Sequence, residues 1–391
     1  MPYSGNRRLD VAPTAKLPLL GLLAGAGSFA SEERRENNLT LLRLVAAAAV
    51  LFSHSWPLSS GARAVDPVTA FLGEVTGSAL SLAGLAVNAF FVISGYLVTK
   101  SAIRSKARPY YWLSRVLRIY PALIVNVLIV ALVLGPAVTA LPLSEYFRGE
   151  KLSEYLTNNI LMWNTVYHLP GAFEDNPESA VNGSLWTLPV ELRCYVAVGL
   201  MALAGVFKFR LLASALCAAI LLFGFLSEDY APFGNLAVLE NVGYFILGAH
   251  FFMYRDIIPA SPFAALLLII GGVWLPLGAV GAIAAAAGFA WLILWAGLAA
   301  PRVVNIEGRL GDPSYGIYIW AFPIQQALVQ ALGGDAPWLI VAIAFPLTVI
   351  MGVASWRFIE KPALSKKSVA ASFSMERMKS LGGVFNKGRS A

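Results

Sequence analysis

Arg43 and His54 are separated by ten residues, Leu-Val-Ala-Ala-Ala-Ala-Val-Leu-Phe-Ser, nearly all of them apolar. An ionisable group inside a hydrophobic span is costly and by default marks function. On one helix the two stand ~16 Å apart, at ~1.5 Å rise per residue. Histidine is the side chain best suited to moving a proton near neutral pH. Arginine offers a planar fork that matches phosphate or carboxylate oxygens. Each also has an ordinary reading. A lone membrane histidine is often a hydrogen-bonded packing residue, and an arginine a few residues inside a span can snorkel to the interface.

Other polar groups recur along the chain. Arg115 and Arg118, in Arg115-Val-Leu-Arg118, sit three apart and share a helix face. They read either as a topological anchor or as a site for a phosphorylated donor. Glu191 and Tyr195 share a face at i,i+4, whereas Glu191 and Arg193 do not. The carboxylate reads as the partner of a group on another helix. Ser94-Gly95 allows close helix approach inside a span. His168 reads as a loop residue and His250 as interfacial. Cys194 and Cys217 read as small packing residues, so there is no disulfide framework and no metal signature.

The elements that must position these groups are membrane helices. Of the 391 residues 58% are hydrophobic and 13% charged, against about 25% charged in soluble domains. Mean hydropathy is +0.68. The fold class is therefore all-α and polytopic, with about ten transmembrane helices. The ten apolar stretches are 39–58, 82–101, 119–138, 184–205, 210–227, 236–254, 262–278, 280–299, 314–332 and 338–357. Alternating barrel strands are absent. Counting loops alternately, 24 of the 29 lysines and arginines fall on one side, so both termini are expected in the cytoplasm. Residues 1–38 read as a cytoplasmic arm, 39–362 as the membrane domain and 363–391 as a basic cytoplasmic tail. The outward loop 139–183 is long enough to be functional, and it carries Glu145, Glu150, Glu154, Glu174, Asp175 and Glu178. The formal charge of +7 is mostly the loop asymmetry. No folded basic domain is present, which excludes a nucleic-acid role.

Taken together and in order, six blocks resemble the acyltransferase 3 family of bacterial membrane O-acyltransferases. They are the Arg43/His54 pair, Phe90-Phe-Val-Ile-Ser-Gly-Tyr-Leu97, Arg115-Val-Leu-Arg118, Ser184-Leu-Trp-Thr-Leu-Pro-Val-Glu191, Ser314-Tyr-Gly-Ile-Tyr318 and Ile359-Glu-Lys-Pro362. The resemblance covers roughly 38–362. It implies an enzyme of the bacterial inner membrane that moves an acyl group, usually acetyl from acetyl-CoA, to a sugar hydroxyl of an exported or cell-surface glycan. The partners expected are acyl-CoA, a glycan or lipid-linked saccharide and membrane lipids, with acyl-CoA a donor substrate rather than a bound cofactor. His54, Arg43 and Glu191 are the catalytic candidates: His54 as general base or transient acyl carrier, Arg43 guiding the donor or stabilising the thioester oxygen, Glu191 orienting His54 or binding sugar. Arg115, Arg118, Ser94, Gly95 and Tyr318 are the candidates for holding the donor. Many members carry a second histidine where this chain has Ala321, so no two-histidine mechanism uses that position. The rival readings are a secondary transporter, which calls for inverted repeats not seen here, and a non-catalytic partner in glycan export.

Overall fold

A computed structural model of the chain describes residues 27–33, 36–106, 109–226 and 235–366. The N-terminal arm and the basic tail expected from the sequence lie largely outside the described residues. Among the described residues the fold is helical, with no strand beyond two isolated bridges. The apolar helices are α1 (Leu39–Ser60), α2 (Leu82–Ser105), α3 (Pro109–Val138), α4 (Gly183–Leu203), α5 (Arg210–Leu226), α6 (Leu236–Met253), α7 (Pro262–Trp274), α8 (Gly278–Ala299), α9 (Ser314–Leu332) and α10 (Pro337–Lys366).

Each of the ten apolar stretches in the sequence falls on one of these helices, but the expected number of crossings does not follow. Seven helices among the described residues are long and apolar enough to cross a membrane: α1, α2, α3, α4, α6, α8 and α10. Helices α5 and α7 are shorter. Helix α9 has 19 residues but carries buried glutamines where a lipid-facing helix would be apolar. Helix α3 also starts earlier than the hydropathy suggests. It begins at Pro109, so Arg115 and Arg118 sit inside a helix rather than in the preceding loop.

Local chemistry sets the ends. The Asn38 side chain donates to the Ala296 and Pro301 carbonyls at 3.1 and 3.0 Å and accepts from Val303 N–H at 2.9 Å. This ties the start of α1 to the end of α8. At the other end of α1, Asp66 caps the short helix Pro67–Thr76 through Val68 and Thr69 N–H and accepts from Ser53 Oγ at 2.6 Å. Burial opposes ionisation of Asp66, but the Ser53 and Thr69 hydrogen bonds prevail and hold its carboxyl below its usual range. Helices α2 and α6 pack with their backbones almost touching. A Cβ at Gly95 would stand 2.0 Å from the Phe245 carbonyl oxygen, and one at Gly248 would stand 2.1 Å from that of Val92. Only glycine permits this approach.

Helix α9 is the central element, and it runs parallel to α1. Asp312, just before α9, pairs with Arg43 near one end of α1. Gln325 Nε2 donates to Leu51 O and Ser55 Oγ, both at 2.7 Å, near the other end. Gln326 donates to the Glu178 and Ala180 carbonyls at 2.6 Å. Asn182 is fully buried and donates to Ile319 O at 3.0 Å. The stretch 139–183 is therefore not an open loop. It forms helices Leu143–Arg148 and Glu150–Leu161 and then folds onto α9, burying Leu169, Phe173 and Val181. Glu145, Glu150, Glu154, Glu174, Asp175 and His168 remain exposed.

Candidate active site

A cavity of about 440 Å³ opens among α1, α2, α3, α4, α9 and α10. Its walls hold six of the eight residues singled out from the sequence: Arg43, Ser94, Arg115, Arg118, Glu191 and Tyr318. Helix positions give the cavity a direction. On α1, α3 and α9, which run one way, its polar residues are the early ones: Arg43, Arg115, Arg118 and Ser314. On α2 and α4, which run the other way, the late ones Val98 and Tyr195 lie at that same end, while Val87 and Thr187 lie opposite. One end thus gathers three arginines, with Asp312 and Glu307 beside them. The other closes on Val87, Phe90, Thr187 and Tyr318.

At the arginine end two of the three guanidiniums are committed to carboxylates. Asp312 Oδ2 accepts from Arg118 at 2.8 Å and from Arg43 at 3.1 Å. Glu360, whose side chain is 1% exposed, lies 3.4 Å from Arg118 and accepts from Ser355 Oγ at 2.9 Å. Ser314 Oγ donates to Asp312 at 2.7 Å. Burial alone would raise the Asp312 carboxyl, but the Arg118 and Arg43 guanidiniums outweigh it and pull it down to about 2. Asp312 is thus an anion at any physiological pH. Arg115 is different. Its guanidinium lies over the rings of Tyr195 and Tyr111, at 5.4 and 5.9 Å, and its Nε bonds Ser114 Oγ at 3.3 Å. Among the described residues it has no carboxylate partner. It is therefore the arginine of this cavity whose fork is free for an anionic guest.

Glu191 does not orient His54. Its carboxylate accepts from Ser94 Oγ at 3.0 Å and from the Tyr195 hydroxyl, and Ser94 also bonds Tyr195 at 3.2 Å. This network sits midway along the cavity wall and fixes the Tyr195 ring under Arg115. Gly95 does not line the cavity; it is the contact between α2 and α6.

His54 stands beyond the closed end. It is half-buried, and its ring lies edge-on to Phe322 with centroids 5.7 Å apart. Its Nδ1 is buried with no hydrogen-bond partner, and so is Ser184 Oγ. Gly183, next to Ser184, touches the same Phe322 ring: a Cβ there would lie 2.5 Å from Phe322 Cε2. Phe322 is one helical turn past Tyr318, and neither Phe322 nor His54 is among the residues that line the cavity. The position of the missing second histidine, Ala321, is 1% exposed and packs in the core around Leu51.

The sequence reading does not single out Asp312, Glu360 or Thr187, although Thr187 and Glu360 lie in blocks noted there and Asp312 stands two residues before one. Asp312 and Glu360 are 194 and 242 residues from Arg118, and no local pattern pairs them. Thr187 sits one turn before Glu191, and this shared face was the available signal.

Fold and site together define a class: a multi-pass helical membrane protein with an arginine-lined cavity between its helices. Residues 36–357 match the family described as Acyltransferase domain, and the chain belongs to that family, acyltransferase 3. It is 29% identical over 365 residues to Nodulation protein 10 of Rhizobium leguminosarum bv. viciae, covering 85% of this chain and 94% of that one. It is 28% identical over 353 residues to the O-acetyl transferase of Shigella phage Sf6, covering 85% and 98%. It is 23% identical over 328 residues to the putative peptidoglycan O-acetyltransferase YrhL of Bacillus subtilis (strain 168), covering 71% of this chain and half of that protein. No solved structure matches.

Proposed function

We propose that this protein is a membrane O-acetyltransferase that carries an acetyl group from acetyl-CoA to a hydroxyl of an exported or cell-surface glycan. The observation that carries this reading is the polarity of the site. A cavity with the unpaired Arg115 at one end has Tyr318 at the other, one turn before Phe322, the ring that His54 touches, an arrangement suited to a donor and an acceptor that approach from opposite ends. The arginine end faces the cytoplasm of a bacterial inner membrane, in keeping with the charge asymmetry of the loops. Arg115 takes a donor phosphate. Arg118 and Arg43, fixed by Asp312, set the shape and potential of the entrance. His54 takes the proton of the acceptor hydroxyl, and its unpartnered nitrogen is free to do so. The relatives' names supply the acetyl group and the carbohydrate class. The exposed acidic face of 139–183, on the His54 side, is the surface offered to the glycan.

The test is a comparison of surface glycans by mass spectrometry in cells lacking the gene, complemented with wild type or with His54→Ala. Loss of a general base costs about 10²–10⁴-fold in rate, so the acetyl increment should vanish with His54→Ala while the protein accumulates normally. Its Nδ1 makes no hydrogen bond, so the truncation leaves no partner unsatisfied. Normal acetylation by a well-expressed His54→Ala protein would overturn the assignment.

A further inference from the structure

The thioester must be held where the cavity ends, and the polar groups there are two hydroxyls. Tyr318 OH and Thr187 Oγ1 are 2.9 Å apart, both are buried, and both line the cavity. Phe90 closes the same layer, edge-on to Tyr318 at 5.7 Å. Arg43, the other candidate for stabilising the carbonyl oxygen, stands ~16 Å from His54 along α1 and is bound to Asp312. Glu191 is an acceptor already bonded to Ser94 and Tyr195. Neither meets a carbonyl placed next to His54.

We infer that Tyr318 is a further catalytic residue, donating its hydroxyl hydrogen to the thioester carbonyl oxygen, and that Thr187 positions it. The inference rests on the donor reading above and adds the atom that holds the reacting group. Two hydroxyls in contact carry two hydrogens. One closes the bond between them and the other is available to a guest. Thr187 donating to Tyr318 leaves the Tyr318 hydrogen directed at the guest. The alternative acceptor for Thr187, Ser184 O, is distant at 3.4 Å. The site on the far side of the carbonyl is also marked. His54 Nδ1 and Ser184 Oγ are buried and unpartnered; His54 lies against Phe322, one turn outward, and Gly183, next to Ser184, touches the same ring.

The chemistry balances without a further reactant. The acceptor oxygen adds to the thioester carbon, and its proton passes to the His54 imidazole. The carbonyl π pair moves onto oxygen, where the Tyr318 hydrogen bond strengthens as charge develops. Collapse restores the C=O bond and breaks the C–S bond. The CoA thiolate leaves with the proton from the imidazolium, giving an ester and a thiol. A hydrogen bond that strengthens in this step acts on turnover rather than on donor binding.

The experiment uses membrane vesicles holding the full chain and the native acceptor, supplied with acetyl-CoA labelled in the acetyl group. Label in glycan is measured against donor concentration and normalised to protein. Tyr318→Phe should lower turnover at saturating donor by about 10²–10³-fold, as removal of one oxyanion donor does, with donor KM nearly unchanged. Thr187→Val should give a smaller loss of the same kind, and Thr187→Ser should restore it. A purely structural role would not split turnover from KM, nor be rescued by serine. Turnover of Tyr318→Phe within about twofold of wild type, while His54→Ala is inactive, would overturn the hydroxyl assignment alone. A wild-type protein that transfers no label from acetyl-CoA would overturn the donor reading with it.

Discussion

Arg115 and Arg118 share a helix face and a cavity, yet the structure separates their roles, and substitution should expose the difference. Arg118 is balanced by Asp312 and Glu360, whose side chains are 11% and 1% exposed. Arg43 shares Asp312, so two guanidiniums face two carboxylates and their formal charges cancel. Arg115 forms no ion pair with a carboxylate among the described residues. A hydrogen bond to a charged group contributes about 1.5–3 kcal/mol. Losing one to a donor phosphate therefore raises the donor KM by roughly 10- to 140-fold, at 1.4 kcal/mol per decade. Arg115→Ala should show this rise with little change in melting temperature, and Arg115→Lys should recover part of it. Arg118→Ala strands Glu360 in a buried position, and breaking such a pair costs about 3–5 kcal/mol. Its effect should be on stability, and Arg118→Ala with Glu360→Gln should recover part of the loss. The assays are donor titration in vesicles and thermal unfolding in detergent. An Arg115→Ala protein with unchanged donor KM, beside a stable Arg118→Ala protein with a raised one, would refute the division of labour.

Two further outcomes follow from the packing and from the charge asymmetry. Gly95→Ala places a Cβ 2.0 Å from the Phe245 carbonyl oxygen, an overpacking that costs about 1–3 kcal/mol; melting temperature should fall while the donor KM of the surviving protein stays at the wild-type value, and a raised KM at normal stability would return Gly95 to the donor site. With Cys194 and Cys217, both buried, replaced by alanine, Glu150→Cys and Asp175→Cys should react with an impermeant maleimide in intact spheroplasts, whereas Ser105→Cys and Ala370→Cys should not; the reverse pattern would invert the proposed orientation.

The helices and the cavity wall were largely legible in the sequence, because the constraint that made them visible is local. A polar residue inside an apolar run must face something other than lipid, and Arg43, Ser94, Arg115, Arg118, Glu191 and Tyr318 all face one cavity. What they meet there was not legible. Arg118 looked like a donor contact until Asp312 and Glu360 came into reach from α9 and α10. Glu191 looked like a partner for His54, but a carboxylate one turn from Tyr195 is satisfied on its own helix and by Ser94. Gly95 showed its smallness but not its direction, which is toward α6. Seven helices rather than ten are long and apolar enough to cross among the described residues, for a related reason. Hydropathy cannot distinguish a helix wrapped in lipid from one wrapped in protein, and α9, buried along most of its length, belongs to the second kind.

That burial of α9 bears on the reaction. Asp312, Tyr318, Phe322 and Gln325 follow one another along its length and meet, in order, the arginines, the end of the cavity, His54 and the far end of α1. The helix is held at both ends, by Asp312 between Arg43 and Arg118 and by Gln325 and Gln326 on α1 and on 178–180. A helix fixed in this way cannot slide to bring the cavity to His54. The remaining turn must be crossed by side chains, and the ring that occupies it is Phe322. That ring packs against Gly183, where a Cβ would lie 2.5 Å from its Cε2. The proposed donor site and the histidine are thus separated by one turn of a helix held at both ends, where the ring of Phe322 touches His54.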